Sequence, residues 1–103
     1  MGDPVSAPTT AIGLTVLAVE PVNSGKLFAL VAAEVDIEGV GVVVHGIQAL
    51  RCAAGTRIEL PKFRDHTGTW RSAVTLPDEI KGPLGDAILE ALIECGLAKR
   101  RFG

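Results

Sequence analysis

The chain reads as an α+β fold: a small antiparallel sheet of about five strands in meander order, followed by one C-terminal amphipathic helix. Three observations predict it. Residues 27–37 place apolar side chains at every second position, the period of a half-buried strand, and 41–50 form an almost uncharged run that reads as buried sheet. Short turn-forming sequences separate these runs from further β-branched stretches, and such short links join antiparallel neighbours. Near the end the apolar period lengthens, and Leu84, Ala87, Ile88, Ala91, Leu92 and Cys95 recur at helical spacing.

Residues 1–10, with Pro4 and Pro8 and no periodicity, read as a flexible leader ahead of a single domain over 11–103. A first strand is expected from Leu14 to Glu20, where Thr15, Val16 and Val19 are β-branched. The segment 23–26 (Asn-Ser-Gly-Lys) is a turn. From Leu27 to Ile37, the residues Leu27, Ala29, Val31, Ala33, Val35 and Ile37 should share one face, with Glu34 and Asp36 opposite. Glu38 and Gly39 make a tight turn into the strand 41–50. Residues 52–55 form a loop, Thr56 to about Lys62 a further strand ending near Pro61, and 65–68 (Asp-His-Thr-Gly) a second tight turn. A last strand is expected from Trp70 to Leu76. Pro83 fits the first helical position and Gly96 the stop.

The helix carries more apolar surface than one stripe needs. At about 100° per residue, Leu89 and Ile93 fall outside the Leu84 stripe and leave only Asp86, Glu90 and Glu94 as a polar sector. With 48% apolar residues and a mean hydropathy of +0.37 in 103 residues, the chain has more apolar surface than so small a domain can hide. A homodimer through the sheet and the C-terminal helix is therefore expected, with Leu89 and Ile93 at its interface. Exposed single residues are the plainer alternative.

Composition excludes several classes. The longest uncharged run, residues 4–19, is 16 residues and carries prolines and hydroxyls, short of the roughly 20 apolar residues of a membrane span. A basic secretion-signal start is missing, since the first Lys or Arg is Lys26. Cys52 and Cys95 make neither a disulfide framework nor a metal knuckle. A cytoplasmic protein with reduced thiols, no membrane partner, no cofactor and no metal is expected. The net charge of −2 conceals an asymmetry, because residues 1–50 sum to −4 and residues 51–103 to +2.

Catalytic arrangements are weak. His45 lies in an apolar strand, on the alternating face of Val43 and Ile47, and reads as a buried or half-buried histidine bonded to backbone. His66 sits in a turn beside Asp65, whose side chain favours local backbone bonds. Ser24-Gly25-Lys26 lacks the upstream glycine and following helix of a phosphate-binding loop. Cys95 falls on the core stripe as a small hydrophobe. No enzyme and no small-molecule substrate is implied.

The segment 56–71 differs. Arg57, Lys62, Arg64 and Arg71 surround Phe63 and Trp70 in a turn-broken hairpin, a composition suited to phosphate contacts, with either aromatic able to stack on an unpaired base. The structural alternative is a strand surface in which arginine stems cover apolar area, and Trp70 itself is assigned to the core. Residues 99–101 (Lys-Arg-Arg) add a second basic cluster that would also complement the helix dipole.

From about Leu14 to Ile93 the chain resembles the septation regulator SpoVG (stage V sporulation protein G) family. The carrying residues are 19–23 (Val-Glu-Pro-Val-Asn) with Gly25 and Lys26, 43–47 (Val-Val-His-Gly-Ile), Gly55, Leu60-Pro61, Gly68 with Arg71, and Ile88-Leu89. The resemblance implies an antiparallel sheet with a C-terminal helix, assembled as a homodimer. It further implies a bacterial cytoplasmic regulator of division and gene expression that binds DNA or RNA. The chain departs from the family after Pro61, where Phe63 interrupts the basic cluster. It departs again after Arg71, where Ser72 to Pro77 lack the usual acidic residue and histidine. The alternative function is a dimeric protein-interaction module that leaves nucleic acid alone, favoured by the acidic helix face and acidic first half.

Overall fold

Residues 12–99 are described by the computed structural model, so the leader expected over 1–10 and most of the basic cluster at 99–101 lie outside them. Four strands, β1 (Ile12–Ser24), β2 (Leu27–Ile37), β3 (Val40–Cys52) and β4 (Gly55–Glu59), form an antiparallel sheet in the order β1-β2-β3-β4. Two short strands, β5 (Lys62–Arg64) and β6 (Trp70–Ser72), pair only with each other. The helix α1 (Asp78–Glu94) follows. The architecture is thus α+β, with the expected meander divided into a four-stranded sheet and a separate hairpin.

The bounds of β2 match its alternation, because a strand with Ala29, Val31, Ala33 and Val35 buried on one face has a single favourable register. The turn at Glu38 and Gly39 has positive φ at both residues, +53° and +88°, the backbone whose twist matches a two-residue hairpin. The Asp36 carboxylate accepts a hydrogen bond from the Gly39 N–H at 2.8 Å and closes that turn.

Bulges alter the expected faces at two places. Between Val31↔Ile47 and Ala33↔Val44, β3 carries one residue more than β2, and Gly46 there has φ +74°. The extra residue breaks the alternation: Val44 and Ile47 both enter the core, and His45, expected beside Ile47 and at least half-buried, is exposed. At Phe28 the extra residue lies on β2. Leu27, expected on the face of Ala29, pairs with Leu50, while Ala29 pairs with Ala49. Residues directly opposite share a face, so Leu27 turns away from the core side.

The helix lies on one face of the sheet. Its buried residues Ile80, Leu84, Ile88 and Leu92 keep the helical spacing, and Ile88 and Leu92 are fully enclosed. Beneath them Ala29, Ala33 and Ala49 have no exposed surface. Such small side chains bring the helix close to the strands, while Val31, Val44, Ile47 and Phe28 fill the flanks. Cys95, assigned to the core stripe by spacing, is exposed because it lies past the last helical turn.

Helix α1 begins five residues before Pro83, which sits inside it. Pro77 supplies a fixed φ of −65°, its carbonyl accepts from the N–H groups of Ile80 and Lys81, and Asp78 and Glu79 place negative charge in the first turn. Pro83 forfeits the bond to the Glu79 carbonyl. Burial of Ile80 and Leu84 on either side holds that turn in place. At the other end Gly96 (φ +79°) donates to the Ile93 carbonyl and Leu97 to that of Leu92, a glycine-terminated C-cap at the expected stop.

Candidate nucleic-acid interface

The break at Leu60-Pro61 separates the hairpin from the sheet. Pro61 cannot donate to a ladder, and its carbonyl instead accepts from the Ala73 N–H at 3.0 Å, fastening the base of the β5–β6 pair. Because β6 ends at Ser72, residues 73–76 cross to the helix outside any strand, shortening the strand expected from Trp70 to Leu76.

Only three residue pairs hold β5 to β6: Lys62↔Ser72, Phe63↔Arg71 and Arg64↔Trp70. Alternation sorts them onto two faces. Lys62, Arg64, Ser72 and Trp70 share one, and Phe63 and Arg71 share the other. The four cations grouped by sequence therefore divide. Arg71 lies across the hairpin from Lys62 and Arg64, while Arg57 belongs to β4.

Trp70 is 62% exposed and Phe63 46% exposed. The placement of Trp70 in the core is overturned, for a geometric reason. A two-stranded ribbon with no layer stacked on it has no inside. Arg64 is the ring's neighbour, its guanidinium carbon 5.4 Å from the Trp70 centroid and its Nε donating to the Gly68 carbonyl at 3.3 Å. That contact holds the guanidinium against the ring while leaving most of the indole open.

Carboxylates tune the remaining cations. Arg57 Nε donates to Glu59 Oε2 at 2.7 Å, and Lys62 Nζ lies 3.4 Å from Glu59 Oε1. The Arg57 hydrogen bond, with Lys62 adding, lowers the Glu59 pKa against the opposing effect of desolvation. Arg71 Nε donates to Asp65 Oδ2 at 2.6 Å. The other oxygen of Asp65 accepts from the Thr67 N–H, the Thr67 hydroxyl and the Thr69 N–H, so one side chain organises the whole turn. The Arg71 bond first, then that of Thr67, holds the Asp65 carboxyl far below the usual carboxylate range. Four cations against two carboxylates leave this region at +2. Among the described residues Arg64 has no ion-pair partner.

A groove of about 300 Å³ opens at the base of the hairpin, with Ile58, Leu60, Val74 and Leu76 as its apolar side and Lys62, Ser72 and Lys81 among its polar groups. Sequence reasoning misses Lys81, since nothing in the spacing of residues 62 and 81 joins them. It misses Arg51 too, whose guanidinium lies 4.3 Å from the Phe28 ring centroid and covers one edge of the core. A second groove, about 600 Å³, runs between the open edge of β1 (Leu14 to Val19) and the Ala87, Ala91 and Cys95 side of α1. Leu89 and Ile93 are half-buried, outside both grooves.

His45 in β3 and His66 in the hairpin turn line neither groove. Among the described residues no group of three His, Cys, Asp or Glu side chains is placed to hold a metal ion. No described helix is long and apolar enough to cross a membrane.

Compared with protein-family models, curated proteins and solved structures, the chain has no match.

Proposed function

We infer that this protein is a non-enzymatic, homodimeric regulator of the SpoVG type that binds nucleic acid through the β5–β6 hairpin. The observation that carries the reading is the hairpin itself, a separate two-stranded ribbon with three exposed cations, Lys62, Arg64 and Arg71, and two exposed aromatics. Lys62, Arg64 and Arg71, with Arg57 beside them, supply phosphate contacts, and the aromatics supply base contacts. A bacterial cytoplasmic role in septation and gene expression rests on the residue resemblance alone.

The homodimer is supported by apolar surface that the helix does not cover. At the far end of the sheet Ile12 and Val40 both pair with Ile37, and Leu14 and Val42 both pair with Val35. These residues share one face, with Val40 65% and Val42 50% exposed. A contiguous apolar area of this kind is costly to leave in water, and a second copy docked there or along α1 at Leu89 and Ile93 removes it. Pairing two chains also places two hairpins on one particle, which matters because phosphate contacts act together.

The test is fluorescence anisotropy with labelled DNA and RNA at low and physiological salt, on the wild type and on the K62Q/R64Q/R71Q variant. Binding by the wild type that the variant loses supports the assignment. Absence of binding to any nucleic acid at low salt contradicts it, and leaves the protein-interaction module as the reading.

A further inference from the structure

The hairpin face that carries Trp70 runs without interruption into the groove at its base. Lys62 and Ser72 belong to both, since they are paired with each other at the foot of the hairpin and also line the groove. Two residues further along each strand, on the same face and paired with each other, stand Arg64 and Trp70. The surface therefore offers, in order, an exposed indole with a guanidinium over its ring, an ammonium paired with Glu59, a hydroxyl, and then a cleft lined by apolar side chains together with Glu59 and Lys81. Among the described residues neither Arg64 nor Lys81 is neutralised by a carboxylate.

We propose that this continuous surface selects single-stranded over duplex nucleic acid, with one unpaired base stacked on Trp70 and its neighbour lodged in the groove between Lys62 and Lys81. The proposal rests on the nucleic-acid reading above and specifies the strand state of its target. The chemistry follows from what each form exposes. A duplex presents phosphates and base edges, while the faces of its bases are occupied by their neighbours. A single strand presents those faces. Trp70, 62% exposed with Arg64 over one face of its ring, engages a base face on the other and gains little from a base edge. The groove repeats the preference: its apolar side, Ile58, Leu60 and Val74, suits a flat base, and Lys81 with Lys62 suits the phosphates on either side, Lys62 also offsetting the Glu59 carboxylate in the same lining. Stacking of this kind tolerates any base, so strand state is read ahead of sequence.

Trp70 is the only tryptophan and the chain has no tyrosine, so its emission reports the contact directly. The experiment titrates the full chain with a short oligothymidylate, an oligouridylate and a duplex of equal length, following Trp70 emission and, in parallel, the anisotropy of labelled strands. Quenching by both single strands, with affinity above that for the duplex, is the expected result. Trp70→Ala then weakens single-strand binding by about tenfold or more and duplex binding far less, while Trp70→Phe retains most of the affinity. Lys81→Gln lowers the slope of log K against log salt by about 0.7 for the single strand.

Binding of both forms with equal affinity and no quenching overturns this proposal and leaves the nucleic-acid reading standing. Emission already blue-shifted and protected from acrylamide in the free protein means that another copy covers Trp70, and overturns it as well. Binding of neither form at low salt overturns both readings together.

Discussion

Replacing Gly46 by alanine isolates the bulge that sets the two halves of β3 in register with the core. Gly46 holds φ +74°, a left-handed conformation that costs an L-residue about 1–2 kcal/mol. A methyl group there would meet nothing within 4 Å, so the substitution adds backbone strain and no collision. The expected loss is therefore about 1–2 kcal/mol, well below the several kcal/mol of a clash or a vacated core position. Urea unfolding followed by circular dichroism reads it as a lower midpoint at unchanged m-value. Protein concentration must be matched, because the stability of the proposed dimer would depend on it. Asparagine, which tolerates left-handed backbone, should lose less than alanine. The reasoning is refuted if Gly46→Ala is neutral or stabilising, since alanine then finds an ordinary φ there and the bulge is absent. Deleting Gly46 should be far worse than Gly46→Ala, because closing the bulge turns either Val44 or Ile47 out of the core.

The two turns carry their own expected outcomes. Glu38 is a non-glycine residue with φ +53° at the first position of a two-residue hairpin, where asparagine is favoured. Glu38→Asn should gain about 0.5–1 kcal/mol, seen as a melting temperature raised by a few degrees, and a lowered one would contradict the turn geometry. Asp65 has a folded pKa below its unfolded value, so its contribution is complete above about pH 4 and is lost as pH falls through the unfolded value toward the folded one. Trp70 emission should therefore change on acidification below about pH 4 as the hairpin loosens, and Asp65→Asn should remove that pH dependence. Coincident acid titrations of wild type and Asp65→Asn would show that the Arg71 and Thr67 bonds do not hold the turn.

Much of the architecture is legible from periodicity. β2 alternates over its whole length and is bounded by turn residues, and the stripe Leu84, Ile88, Leu92 admits only one helical face. What escapes comes from single residues that break a period without announcing it. Gly46 inside an apolar run looks like a tolerated glycine, yet its left-handed backbone reverses the phase and turns His45 to solvent. Gly82-Pro83 resembles a helix start and masks the true opening at Pro77-Asp78-Glu79, because burial of Ile80 is a tertiary fact.

The site is legible in composition and not in arrangement. Arg57, Lys62, Arg64 and Arg71 are all exposed as a binding surface needs, but alternation over three-residue strands places Arg71 on the opposite face from Lys62 and Arg64. The general tendency of large aromatics points Trp70 inward. The Leu60-Pro61 break detaches its hairpin from the sheet and leaves the ring without a layer to cover it. Lys81 joins the groove of the candidate site only through the crossing of residues 73–76 back to α1, which no local pattern encodes.

The salt dependence of binding tests the central claim most directly. In the wild type, log K for a single strand should fall linearly with log salt, at a slope near −0.7 per neutralised phosphate. The K62Q/R64Q/R71Q variant takes the hairpin region from +2 to −1 by formal charge. Its slope should shrink by about 0.7 for each phosphate that no longer meets a cation, with affinity at physiological salt near the limit of detection. An unchanged slope in the variant would mean that the hairpin does not supply the proposed phosphate contacts.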